Sequence, residues 1–158
     1  MERLPMTAAG HARLEDELRG LKSNARPAVI QAIATAREHG DLSENAEYHA
    51  AKEQQSHIEG RISELEDKLG RSEVIDVTAI TGGNIKFGAT ILIVDEDTDE
   101  ETTYQIVGED ESNIEEGRLS ISAPLARALI NKEQGDSVEV TTPGGSKAYE
   151  ILEVKYIG

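Results

Sequence analysis

His39-Gly40-Asp41-Leu42-Ser43-Glu44-Asn45 interrupts two long runs of helical period, and its position decides the fold. On its C-terminal side Tyr48, Ala51, Gln55, Ile58, Ile62, Leu65 and Leu69 recur at alternating gaps of three and four. On its N-terminal side Leu14, Leu18, Leu21 and Ala25 keep the same rhythm. Apolar positions repeating every ~3.5 residues line one stripe of a helix. Two such stripes joined by a short break predict an antiparallel coiled-coil hairpin with the break at its far tip. The tip carries two carboxylates, Asp41 and Glu44. A long arm ending in acid suggests delivery of charge to a place the rest of the molecule cannot enter.

Working upstream, the first helix is expected to start near Thr7, an N-cap ahead of Ala8 and Ala9, and to run to about His39, where Gly40 can take the left-handed conformation that ends helices. Pro27 lies inside this run. It has no N–H for the turn before it, so a kink or a change of register is expected there. Beyond Pro27 the stripe is ambiguous. Ala28, Ala32 and Thr35 keep the old phase, whereas Val29, Ile33 and Ala36 require a shift of one residue. Either way the seam passes from leucine to mostly smaller side chains, so the arm should narrow towards its end. The second helix is expected over about Glu44 to Leu69. Its ~26 residues at ~1.5 Å rise make an arm of ~40 Å, longer than a small domain is wide.

From Val74 the period changes from helical to alternating. Ile91–Val94, Tyr104–Val107, Leu119–Ile121, Val138–Val140 and Tyr149–Val154 read as strands. Asp95–Glu101 is an acidic hairpin loop, Thr142-Pro143-Gly144-Gly145 a tight turn, and Ala123–Ile130 a short helix with Pro124 in its first turn. The fold class expected is therefore α followed by α+β: an antiparallel helical hairpin over residues 1–76, a short linker near Arg71–Ile80, and a small antiparallel sheet domain with one short helix over residues 77–158.

Composition agrees with a thin architecture. Only 37% of the 158 residues are hydrophobic and 3% aromatic, too little for one large core. The chain has no Cys, which excludes a disulfide framework and cysteine–zinc sites. Neither a secretion signal nor a membrane-spanning stretch is seen, so a cytoplasmic location without a membrane partner is expected. The net charge is −15, and both halves are acidic: 10 Lys and Arg against 15 Asp and Glu over residues 1–76, and 6 against 16 over the rest. Phosphate neutralisation needs clustered Lys and Arg, so direct nucleic-acid binding is disfavoured. A basic protein surface, a metal ion, or both are the expected partners.

At the tip, the spacing of Asp41 and Glu44 allows one helix face to present both carboxylates. Hard oxygen ligands of this kind suit Mg²⁺, which often takes only one or two from protein. The ordinary alternative is a variant capping box, Asp41 capping the second helix and Glu44 following it. Arg37 and Lys52 flank the tip. Facing each other they would form a small basic spot for a phosphate or an RNA end; otherwise they are solvated helix charges. Tyr48 is expected in the seam, with stacking on a base as the alternative. His39, His49 and His57 fit no compact ligand spacing and read as surface residues. The chain shows no nucleophile with an adjacent base and no Gly-rich phosphate loop. Two acids on an exposed tip are half of a site.

The stretch Ala36-Arg-Glu-His-Gly-Asp-Leu-Ser-Glu-Asn-Ala-Glu-Tyr-His-Ala-Ala-Lys-Glu-Gln-Gln55 resembles the tip signature of the bacterial Gre transcript cleavage factors. Ile75–Val77, Phe87–Thr90, Tyr104–Gly108 and Ser122–Ile130 followed by Lys132-Glu133 resemble that family's C-terminal domain, in the same order. The resemblance implies a coiled-coil hairpin and an FKBP-like domain. It implies a transcription elongation factor that enters the secondary channel of RNA polymerase and stimulates the polymerase's own cleavage of the extruded RNA 3′ end in backtracked complexes. Carried over by position, Asp41 and Glu44 share the second Mg²⁺ with the polymerase. None is expected to be bound by the isolated chain. Arg37 and Lys52 lie towards the RNA, which is met only within the complex, and Ser122, Ala123 and Pro124 dock on the polymerase. Ser43 stands where the family often has Lys, with little effect on ion binding expected and a tuning of RNA contact. The sparse basic patch favours the less basic of the family's types, and a monomer is expected. The alternative within the family is a binding-only channel regulator without cleavage activity. A prolyl isomerase is disfavoured because the C-terminal half has only Phe87, Tyr104, Tyr149 and Tyr156 to line a pocket.

Overall fold

The computed structural model of the chain describes residues 2–41, 44–80 and 82–157. It divides into two units. His11–Ser72, with Glu2, form a helical unit, and Arg3–Gly10 join Glu73 and the residues after it in a second unit built on a sheet. The division expected between residues 76 and 77 thus differs in two respects: residues 3–10 belong to the sheet unit, and the helical unit stops at Ser72. The reason is a pair of short strands absent from the sequence reading. β1 (Leu4–Thr7) pairs with β2 (Ser72–Ile75) in a two-stranded sheet. The stretch read as a linker is therefore partly a strand.

α1 (Ala8–Gly20), whose first three residues belong to the sheet unit, leads through one π-helical stretch, Leu21–Ala25, into α2 (Arg26–Arg37). The N–H of Arg26 reaches back five residues to the Leu21 carbonyl. Such a turn inserts one residue into the ladder, and it lies directly ahead of Pro27, which has no N–H to give. The inserted residue moves the apolar stripe by one position. Val29, Ile33 and Ala36 are buried, whereas Ala28, Ala32 and Thr35 are exposed, so the shifted phase is the one realised.

α3 (Ala46–Gly70) packs on α2, burying Ala51, Ile58, Ile62 and Leu65. Val29, Ile58 and Ile62 form one cluster with Leu18, Leu21 and Ala25 around it. Ion pairs stitch the two sides: Lys22 to Glu66 at 3.1 Å, Arg26 to Glu59 at 2.7 Å, and Arg61 to Glu17 at 2.6 Å. Both arginines are bidentate. Hydrogen bonds from Arg61 and Arg26 hold the Glu17 and Glu59 carboxyls below the usual value of 4.5. A depressed carboxyl stabilises the folded state above its unfolded pKa, and the contribution is lost as pH falls through the folded value. Glu17→Gln should therefore lower stability at pH 7 by under about 1 kcal/mol, since the pair is solvent-screened. That difference from the unsubstituted chain should shrink as pH falls below the usual carboxylate range and be lost once the Glu17 carboxyl is protonated in the folded state, as read by thermal unfolding followed by circular dichroism.

The second unit carries a five-stranded sheet in the order β5-β4-β3-β7-β6, from β3 (Thr90–Asp95), β4 (Glu101–Val107), β5 (Arg118–Ser120), β6 (Ser137–Thr142) and β7 (Gly145–Lys155). All five expected strands are present, but the sheet is mixed. β5 runs parallel to β4, pairing Gln105 with Arg118, while the other neighbours are antiparallel. The expected all-antiparallel sheet fails here because two 3₁₀ turns, Glu109–Glu111 and Ile114–Glu116, loop the chain back to the level of Gln105, so that β5 runs parallel beside the last three residues of β4. α4 (Pro124–Leu129) covers one face, where Ala126 and Leu129 pack on Ile91, Ile93, Ile106, Val138 and Ile151. The acidic loop closes as an Asx turn, the Asp95 carboxylate accepting from the N–H groups of Asp97 at 2.9 Å and Thr98 at 3.3 Å. Among the described residues no helix is long and apolar enough to cross a membrane.

Candidate functional site

The turn between α2 and α3 is built by backbone rules before any side chain acts. The last turn of α2 tightens, with N–H groups of Glu38, His39 and Gly40 donating three residues back at 3.2–3.3 Å. Gly40 has φ +98°, a conformation costly for any residue with a Cβ. The chain re-enters helix at Ala46, and the N-cap is Asn45, whose side-chain oxygen accepts from the Tyr48 N–H at 3.0 Å. The capping alternative considered for Asp41 is thus corrected. Asx residues cap by lying immediately before the first helical turn, and Asn45, not Asp41, lies there. The helix start moves from the expected Glu44 to Ala46 for the same reason.

Asp41 and Glu44 are both exposed, and together with His39, Asn45, Ala46 and Glu47 they line a shallow open depression at the turn. Ser43 lies outside the described residues. The Nε2 of His39 stands 3.7 Å from the Glu47 carboxylate, adding a third acid beside the two expected ones. This acid was visible in the sequence as a residue type, three positions beyond Glu44.

The two flanking cations have partners of their own. The Arg37 guanidinium lies over the Tyr48 ring, 5.9 Å from its centroid, a cation–π contact that joins the end of α2 to the first turn of α3. Lys52 donates to the Gln55 side chain at 3.4 Å, one turn further along α3. The expected spot with both cations face to face is replaced by one cation stacked at the tip and one directed along its own helix. Tyr48 is half-buried, as a seam residue should be, and its ring meets His49 edge-on at 5.5 Å. His39 and His57 are well exposed, each beside a glutamate.

The donor set can be tested against a cation. Two exposed carboxylates supply hard anionic oxygens but leave most of an octahedral shell open. Among the described residues no three His, Asp or Glu side chains gather into a closed cage. Such a set fits an Mg²⁺ whose remaining ligands come from elsewhere.

In the sheet unit Ser122, Ala123 and Pro124 form the approach to α4. The Ser120 hydroxyl contacts the Ser122 hydroxyl at 2.8 Å and accepts from the Ser122 N–H at 3.2 Å. Ala123 is the N-cap and Pro124, exposed, opens the helix. This ordering makes the segment a firm corner rather than a loose loop.

The N-terminal domain model described as "Transcription elongation factor, N-terminal" matches residues 4–74, and that described as "Transcription elongation factor, GreA/GreB, C-term" matches residues 80–156. Transcription elongation factor GreA of Paracoccus denitrificans is 64% identical over 157 residues, spanning 99% of this chain and 100% of its own. GreA of Maricaulis maris is 62% identical over 156 residues, spanning 99% of both. Among solved structures, the prokaryotic transcription elongation factor GreA/GreB from Nitrosomonas europaea is 26% identical, with a TM-score of 0.43, covering 98% of this chain and 100% of that one.

Proposed function

The chain belongs to the GreA/GreB family of transcription elongation factors, and we propose that it acts on bacterial RNA polymerase by carrying Asp41 and Glu44 into the secondary channel, where they complete the polymerase's own RNA-cleaving centre. The helical pair serves as a coiled-coil arm and the sheet unit, read as FKBP-like, as the docking body, with Ser122, Ala123 and Pro124 at the contact. The protein is not itself the nuclease in this reading. It stimulates hydrolysis at the extruded RNA 3′ end of a backtracked complex.

The observation that carries the reading is the exposure of both carboxylates at a turn whose helix cap is supplied by a third residue, Asn45. Asp41 and Glu44 would hold Mg²⁺ jointly with the polymerase. That ion, when bound, supplies Lewis acidity for in-line attack on a phosphodiester. The chain's own part is to orient two acceptors, which could also hydrogen-bond an attacking water. Arg37, kept near the tip by the Tyr48 ring, offers positive charge to an RNA phosphate. Overall acidity keeps the free protein off nucleic acid, so placement depends on the polymerase.

The test is RNA cleavage in a backtracked polymerase complex with and without the protein. Shortened transcripts appearing only with the protein support the reading. Binding to the polymerase with no change in cleavage would instead identify a binding-only channel regulator.

A further inference from the structure

We infer that Asn45 is a positioning residue whose single carboxamide closes the tip and so fixes the two carboxylates relative to each other. Its oxygen accepts from the Tyr48 N–H at 3.0 Å, capping α3, while its nitrogen donates to the Ala36 carbonyl at 2.6 Å, in the last turn of α2. One planar group thus joins the end of one helix to the start of the next. The amide orientation is forced, because an N–H faces one end and a carbonyl the other.

Capping alone does not call for asparagine. Asp and Ser cap about as well, but Asp has no hydrogen to give and a serine hydroxyl is too short to serve both helices. The need for a donor and an acceptor on one rigid plane comes from the bridge. Glu44 is the residue immediately before this bridge, and Asp41 lies on the other strand of the turn, after Gly40. With the bridge intact the turn is closed at both ends, from Ala36 to Asn45. Without it, the turn loses its hydrogen-bonded link between the last turn of α2 and the start of α3, and the Arg37–Tyr48 stacking and the exposed His39–Glu47 pair hold the separation of Asp41 and Glu44 less closely. Two ligands lent to a shared ion lose their advantage when their spacing drifts by an ångström. The inference rests on the function proposed above.

Asn45→Ser keeps a cap and removes the bridge without adding charge; Asn45→Asp does the same with an added negative charge beside the Ala36 carbonyl. The chain contains no cysteine, so Glu38→Cys and Ala50→Cys place a unique pair of spin labels across the tip. In the free protein the inter-label distance distribution should broaden in both variants while helical circular dichroism is unchanged. Stimulated cleavage by Asn45→Ser at limiting Mg²⁺ should fall by about tenfold, recover to within about twofold at high Mg²⁺, and leave polymerase affinity unaltered. An unchanged distance distribution, unchanged cleavage, or a loss of polymerase affinity that matches the loss of cleavage would each overturn the inference. If the unsubstituted protein stimulates no cleavage, the underlying function falls and this role with it. The control reaction therefore separates the two failures.

Discussion

If the proposed function holds, replacing Asp41 or Glu44 by alanine should lower stimulated RNA cleavage by about 10²–10³-fold, the range for removing a preorganised charged group from a reaction centre. Polymerase affinity, measured in the same assay by competition, stays within about twofold, because surface substitutions away from packing and caps change stability by no more than about 0.5 kcal/mol. Both side chains are exposed, and the packing that holds the arm near its tip comes from Ala36 and Ala51, which are 2% and 6% exposed. The double variant should be little worse than either single one, since a pair of ligands works as a unit. Glu47→Gln is the informative control. Its carboxylate lines the same depression but stands beside His39, so its removal should cost far less than removal of Asp41 or Glu44. Raising Mg²⁺ should restore part of the lost rate in the single variants, because higher ion concentration offsets weaker ligation by mass action. Cleavage that survives loss of both tip acids would reject their role outright.

What was legible in the sequence had a period; what was hidden had none. The run from Tyr48 to Leu69 gave the second helix and its buried face, and Ala51, Ile58, Ile62 and Leu65 are the residues buried on it. The phase of α2 was not decidable, because the π-helical stretch at Leu21–Ala25 settles it. That turn is a trade of backbone hydrogen bonds ahead of Pro27 and leaves no pattern in the side chains. Alternation found the five strands of the main sheet but carries no information on direction, so the parallel β4–β5 pair was invisible. β1 and β2 are four residues each and lie far apart in sequence, too short for a pattern. At the tip the acids were visible as residue types. The cap was not, because Asp41 and Asn45 are both good capping residues and only the course of the chain through Gly40 selects between them. The bridge from Asn45 to Ala36 belongs to the same class of fact: it is a pairing across a turn, not a spacing along a helix.

Glu111 is the strongest case of such hidden pairing, and substituting it should destabilise the sheet unit substantially. Glu111 is 4% exposed, and its carboxylate accepts from the N–H of Thr7 at 3.1 Å, from the N–H of Gly108 at 3.0 Å and from the Thr7 hydroxyl. The Thr7 hydroxyl in turn accepts from the Gly10 N–H at 3.1 Å, capping α1. In a capping box the third helical residue supplies a carboxylate that reaches back to the cap. Here that third residue is Gly10, and the carboxylate comes from Glu111, 104 positions beyond Thr7. Gly10 is obligatory for space: a Cβ there would lie 1.9 Å from a Glu111 oxygen. Glu111→Gln keeps the shape but turns an amide donor towards groups that are themselves donors, a loss of about 2–4 kcal/mol when buried partners are left unmet. For a chain of this length that is a fall in melting temperature of roughly 4–16 °C. Gly10→Ala alone should cost about 1–3 kcal/mol through overpacking. The decisive measurement is the double variant. In Glu111→Ala the carboxylate is gone, so the methyl of Gly10→Ala enters vacated space and should add little or nothing to the cost. Such non-additivity, of about 1 kcal/mol or more in a double-mutant cycle, is expected only if the two groups occupy one site. Strictly additive losses would mean that Gly10 is required by something other than the Glu111 carboxylate, and that the cap of α1 does not depend on its distant partner.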